Sequence, residues 1–136
     1  LDNTARCFQI LSDTTRIRIL LLLDKHELCV CQLMGALGMS QPRISQQLGV
    51  LKQGELVINS RKGNWIYYKI NPELTDKSIE KHVISQIPKW LDKDETAKAD
   101  AVVLRACLKL QETTGSCDFK SFAGIREKVL NKSMVS

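Results

Sequence analysis

Two cysteines one residue apart, Cys29-Val30-Cys31, carry the most specific chemistry in this chain of 136 residues. Thiolates are soft ligands and favour polarisable ions over hard ones. Three more cysteines, Cys7, Cys107 and Cys117, bring the total to five. An odd count without secretory features argues against a disulfide framework. Cys29 and Cys31 are also poor partners for each other, because so short a loop strains disulfide geometry. They are therefore read as thiols or thiolates.

What such a pair could act on depends on the elements around it. A helix is predicted from residue 30 or 31 to 37, with Leu33, Met34 and Leu37 facing the core. Gly38 suits the left-handed position that follows a helix. Ser40 caps a second helix and Pro42 falls in its first turn, where a missing N–H costs nothing. Two short helices joined by a glycine-bearing turn match a helix-turn-helix. An ion held by Cys29 and Cys31 would bear on the first of those helices.

The second helix divides by face. Ile44, Leu48 and Leu51 form its buried stripe. Pro42, Arg43, Gln46 and Val50 lie opposite, flanked by Gln41, Ser45, Gln47 and Gly49, with no acid among them. Gln can bond adenine edges, Arg guanine edges, and Ser bases or phosphates. Ser40, Gln41, Pro42, Arg43, Ser45, Gln46 and Gln47 are the predicted DNA contacts. Strands are predicted at 56–60 and 64–70, joined by an Arg61-Lys62-Gly63-Asn64 turn. A basic-tipped hairpin directly after a helix-turn-helix is a wing, so Arg61 and Lys62 are expected at phosphates or the minor groove.

Helical periodicity supplies the rest. A helix at 3–11 carries Phe8 and Leu11 on one side. Another runs from a Ser12 or Asp13 cap to about 23, with Ile17, Leu20, Leu21 and Leu23 as its stripe. A fifth spans 75–90, where Pro88 ends or bends it. A sixth spans 94–111, with Ala101, Leu104, Leu108 and Leu110 apolar. After a loop containing Cys117, a last helix is predicted at 119–130, with 131–136 frayed. The expected fold class is mainly α with a small β-hairpin wing, a dimeric winged helix-turn-helix. Residues 1–92 are read as the DNA-binding and dimerisation domain, and 93–136 as a C-terminal helical extension.

A formal charge of +5 and a pI near 9.0 mildly favour a polyanionic partner. The excess sits early. Between Ser12 and Ile70 the bases are Arg16, Arg18, Lys25, Arg43, Lys52, Arg61, Lys62 and Lys69, against Asp13, Asp24, Glu27 and Glu55. The longest apolar run, 19–23, is far short of a membrane span. With no signal-peptide pattern, the chain is expected to be cytoplasmic, without a membrane partner. A redox or metal-handling enzyme is the rival from another class. No Cys-x-x-Cys, Ser/His/Asp grouping or glycine-rich phosphate loop supports it, so no enzyme is expected.

Residues 11–68 resemble the arsenical-resistance repressor family (ArsR/SmtB) of dimeric winged-helix transcriptional repressors. The likeness rests on Leu11-Ser12-Asp13-Thr14-Thr15-Arg16-Ile17-Arg18-Ile19-Leu20, on Glu27-Leu28-Cys29-Val30-Cys31-Gln32-Leu33 with Ser40-Gln41-Pro42-Arg43-Ile44-Ser45-Gln46-Gln47-Leu48, and on Gly63-Asn64-Trp65-Ile66-Tyr67-Tyr68. The resemblance implies an arsenical-resistance repressor that binds an inverted-repeat operator as a homodimer through its first and fifth helices. It implies As(III) or Sb(III) as inducer at Cys29 and Cys31. One branch of the family has a third cysteine where this chain has Met34, a thioether. The third sulfur would then come from Cys7, Cys107 or Cys117, of the same or the partner subunit. A second family site binds zinc on the fifth helix, where this chain offers Asp76 and His82 but no further histidine. Metalloid binding would deform the start of the third helix, tilt the fourth and lower DNA affinity, with a coupling of about 1–3 kcal/mol. The alternatives on the same fold are a repressor responsive to Cd(II) or Pb(II), or to thiol oxidation.

Overall fold

The computed structural model describes residues 1–115, 122 and 124–135. Helix α1 (Asp2–Ile10) leads into α2 (Thr14–Leu23), where the Asp13 side chain accepts from the Arg16 N–H as N-cap. Strand β1 (Leu28–Cys29), α3 (Val30–Leu37) and α4 (Gln41–Gln53) follow. The wing is β2 (Val57–Lys62) and β3 (Trp65–Ile70). Helices α5 (Ile79–Trp90), α6 (Glu95–Thr114) and α7 (Ile125–Val135) come last. The strands form one antiparallel sheet in the order β1-β3-β2. The architecture is mainly helical with a small sheet, a winged helix-turn-helix.

Periodicity places the core. Ile44, Leu48 and Leu51, spaced four and three apart on α4, are fully buried against Ile19 and Leu20 of α2 and Leu33 of α3 in one cluster. The turn between α3 and α4 works as expected. Gly38 takes φ 65°, a conformation that side chains with a Cβ resist, and its N–H reaches Met34 O at 2.8 Å. The Ser40 hydroxyl accepts from the Arg43 N–H at 3.4 Å.

Several expectations need correction. On α2, Ile19 and Leu22 are buried, whereas Ile17 and Leu21 are only half-buried. The helix packs against α4, α5, α6 and β3, so its buried arc is wider than one stripe. Strand β1 was not foreseen, because its two residues show no period; pairing Cys29 with Tyr67 and Leu28 with Tyr68 creates it. In the wing, Lys62 pairs with Trp65, so Arg61 and Lys62 belong to β2 and the turn is Gly63-Asn64 alone. Gly63, at φ 63°, supplies the left-handed residue that such a tight turn requires. Helix α5 starts at Ile79, capped by Ser78, and continues through Pro88 to Trp90.

Helix α6 runs from its Asp94 cap to Gly115, three residues longer than expected at its C-terminus. Ala101 is exposed; Asp100, Val103, Leu104 and Cys107 make the buried face. Helix α7 reaches Val135, so residues 131–135, expected to fray, are helical. Cys117 and the first part of the helix expected at 119–130 lie outside the described residues. Helix α6 lies along α3 and α2, and α7 packs on α3 and α6. Among the described residues no helix is long and apolar enough to cross a membrane.

Candidate functional site

The cysteine pair straddles a junction. Cys29 is the last residue of β1 and the N-cap of α3, and Cys31 lies in the first turn of that helix. Both are buried in a small cluster with Val103 and Cys107 of α6 and with Phe122. The structure thus brings Cys107 to the same cluster as Cys29 and Cys31. Cys7 belongs to the other, larger core. Burial and the charge of Glu80 push its thiol above the ordinary value, which disfavours a thiolate there. Burial alone pushes the Cys107 thiol up to about 11. Among the described residues no three His, Cys, Asp or Glu side chains are already placed to hold one ion.

The junction is tied to α6 through a glutamine that sequence reasoning missed. The Cys29 N–H donates to Gln32 Oε1 at 2.9 Å, and Gln32 Nε2 donates to Gln111 Oε1 at 2.6 Å. Gln32 is buried, so its bond from Cys29 is shielded from water, and its bond to Gln111 is partly so. A glutamine three residues after an N-cap is the capping-box position, and that was the available signal. A cavity of about 680 Å³ opens beside α3, lined in part by Cys31, Met34, Gly35, Phe122 and Leu130.

A second tie joins this end to the rest of the chain. Asp100 of α6 is buried and holds two arginines. Arg18 of α2 donates to it through Nε and Nη2, both at 2.8 Å, and Arg126 of α7 donates through Nη1 at 2.7 Å. The same Arg126 nitrogen reaches Ala36 O of α3 at 2.7 Å. The hydrogen bond to Asp100 raises the Arg18 pKa further.

The residues predicted to contact DNA are largely exposed. Ser40, Gln41, Pro42, Arg43, Ser45 and Gln46 are exposed on α4, and Gln47 is half-buried. Two of these side chains are held by α2. Arg43 Nη2 donates to Thr15 Oγ1 at 3.2 Å, and Arg16 Nη1 donates to Gln47 Oε1 at 2.7 Å. In the wing, Arg61 and Lys62 are both exposed. Arg61 Nε donates to Gly63 O at 3.1 Å. Lys62 Nζ pairs with Glu27 Oε2 at 3.1 Å and sits 5.5 Å from the Tyr67 ring centre. The hydrogen bond from Lys62 holds the Glu27 carboxyl below the usual carboxylate range. On the α5 side, exposed Asp76 pairs with Lys81 at 2.6 Å.

Comparison with known proteins converges on one class. Residues 13–59 match the family described as bacterial regulatory protein, arsR family. Over 96 residues the chain is 38% identical to the arsenic resistance transcriptional regulator ArsR1 of Pseudomonas putida, covering 68% of this chain and 75% of that protein. Over 68 residues it is 44% identical to the arsenical resistance operon repressor of Escherichia coli, covering 49% of this chain and 58% of that protein. Among solved structures, the transcriptional repressor BigR from Xylella fastidiosa superposes with a TM-score of 0.58 at 24% identity, covering 69% of this chain and 88% of that one. That last likeness concerns the fold.

Proposed function

This chain belongs to the arsR family of DNA-binding transcriptional regulators, not of enzymes, and on that footing we propose that it is a homodimeric repressor released from operator DNA by As(III) or Sb(III). The inducer binds Cys29 and Cys31. The observation that carries this reading is their place at the β1–α3 junction, inside one apolar cluster and directly ahead of the helix-turn-helix. Drawing the two sulfurs onto one atom distorts the first turn of α3 and works against the Cys29–Gln32–Gln111 chain of hydrogen bonds. Because α3 packs on α4, the reading helix then loses its register on the groove.

The cluster favours the metalloids over Cd(II) and Pb(II). Arsenous acid condenses with thiols, each As–O bond being replaced by As–S with loss of one water, and the three-sulfur product is neutral. A divalent cation must displace the thiol protons, and with three thiolates it yields an anion. A buried apolar cluster penalises that charge. Cys107 is the third sulfur that this cluster offers; Cys117 is the alternative.

Homodimerisation is supported by Phe8 of α1 and Trp90 of α5. They are 54% and 64% exposed on two helices that pack together. Such aromatic surface is characteristic of an interface.

The test is operator binding by fluorescence anisotropy, on a duplex selected from a randomised library. Arsenite weakens wild-type binding by about tenfold or more. Cys29→Ser and Cys31→Ser bind the duplex normally and ignore arsenite; a retained response removes the site. Cys107→Ser and Cys117→Ser show which sulfur completes it. Arsenite release is nearly flat with pH, whereas cadmium release steepens as pH rises. Release by peroxide, reversed by dithiothreitol and accompanied by indifference to arsenite, would instead establish the thiol-oxidation reading.

A further inference from the structure

A glutamine reads adenine with both ends of its amide at once. The carbonyl accepts from N6–H while the NH2 donates to N7. In this chain the orientation of the Gln47 amide is fixed, because Arg16 Nη1 donates to its carbonyl at 2.7 Å and takes one of that oxygen's two acceptor sites. A guanidinium offers donors only. Turning the Gln47 amide over would therefore lose this bond and set N–H against N–H.

Arg16 is itself held in place. Its Nε donates to Ile10 O at 2.6 Å and its Nη2 to Gln9 O at 3.3 Å. These carbonyls end α1, where the helix dipole favours a cation. Its backbone N–H bonds Asp13 Oδ1 at 3.1 Å. The guanidinium thus spans the end of α1 and the flank of α4, and it leaves the Gln47 NH2 as the end available to DNA.

We propose that Arg16 is a specificity-determining positioning residue that fixes which way the Gln47 amide faces, its carbonyl on Arg16 and its NH2 left to donate to DNA. The partner of that NH2 is then an acceptor, either a phosphate oxygen or the N7 or O6 of a purine edge. This rests on the DNA-reading role of α4 proposed above.

The test measures Kd for the full chain on a duplex selected from a randomised library and on its single-base variants. Gln47→Glu keeps the shape and an acceptor for Arg16 but removes both donors. It weakens binding by about tenfold or more. Gln47→Met, similar in length and uncharged, weakens it less. A Gln47→Met loss that is uniform across sequences identifies a phosphate, and a loss confined to one purine identifies a base; both support the proposal. Arg16→Met, with thermal unfolding as the check on folding, frees the amide to turn and relaxes or redirects the contact.

Two results overturn the proposal. One is wild-type affinity in both Gln47 variants. The other is an Arg16→Met protein that folds normally and keeps every preference. If Arg16→Met fails to fold, the two Gln47 variants decide. Failure of the underlying reading looks different: the wild type selects no duplex, or Arg43→Ala and Gln46→Ala also leave binding unchanged.

Discussion

Cys29 and Cys31, where α3 begins, are buried among apolar side chains, whereas Gln41, Arg43, Ser45 and Gln46, where α4 begins, stand in solvent. The two ends of one helix-turn-helix are braced from the same helix. Thr15 and Arg16 of α2 hold side chains of α4, and Arg18, two residues on, holds Asp100 of α6. One end holds thiols largely shielded from water; the other holds exposed donors and acceptors. Under the function proposed above, the contrast would keep ion chemistry and DNA chemistry apart within one small chain. The variants below test whether the ends are separable.

Asp100→Asn has the largest expected effect. It removes the charge that two arginines face in a buried setting, and breaking such a pair by changing one partner costs about 3–5 kcal/mol. Urea unfolding reads the loss directly. If the ends are separable, the folded fraction keeps its DNA affinity while the thiols become faster to modify. Equal loss of DNA affinity in the folded protein would mean that α6 and α7 hold α4 as firmly as they hold α3.

Gly35→Ala comes next. A Cβ at Gly35 would lie 2.8 Å from Cys107 Sγ and 3.0 Å from Phe122 Cβ, closer than side chains tolerate. Overpacking of this kind costs about 1–3 kcal/mol. The strain falls on the cysteine cluster, so thermal stability and arsenite response change together while the selected duplex is bound as before. An unchanged melting temperature would show that α6 moves aside easily.

The two ends were not equally legible. The α4 face could be read locally: Ser40 as cap, Ile44, Leu48 and Leu51 as stripe, and the absence of acids on the far side. The cysteine pair stood out in the sequence as candidate ligands, but its surroundings were not legible. Cys107 and Gln111 reach α3 only through the packing of α6, which no local period announces. Arg16 and Gln47 are 31 positions apart, and Arg18 and Asp100 are 82 apart. Polar pairs at that distance leave no mark in a hydrophobic pattern. Strand β1 was missed for the same reason, since its partner Tyr67 lies far along the chain.

Cys107 gives a pH test of how closed the cysteine end is. Burial raises its thiol to about 11 in the fold, above its ordinary value. Between those two values the unfolded chain has lost a proton that the folded chain still holds, so stability falls as pH rises through this window. Below the ordinary thiol value the contribution is fully present. The expected loss across this window is about 2–3 kcal/mol, read as the difference between wild type and Cys107→Ala in urea midpoints. Parallel midpoints for the two proteins would mean that water already reaches the cluster.

The smallest effect lies where the two ends meet. Glu27 immediately precedes β1 and the cysteines, and it holds Lys62 of the wing at 3.1 Å, with Ser60 donating to its other oxygen at 3.3 Å. Part of the Lys62 charge is thereby neutralised before DNA arrives, whereas the Arg61 side chain bonds the Gly63 carbonyl of its own turn. Arg61→Ala should therefore weaken binding to all sequences, with a salt slope lower by about one, and Lys62→Ala should weaken it less. Glu27→Gln should act in the opposite direction, freeing Lys62 and tightening binding by about twofold, since an exposed ion pair is worth little. Should Glu27→Gln instead weaken DNA binding, the pair would be orienting the wing rather than shielding it, and the cysteine end would reach the DNA through β1 as well as through α3.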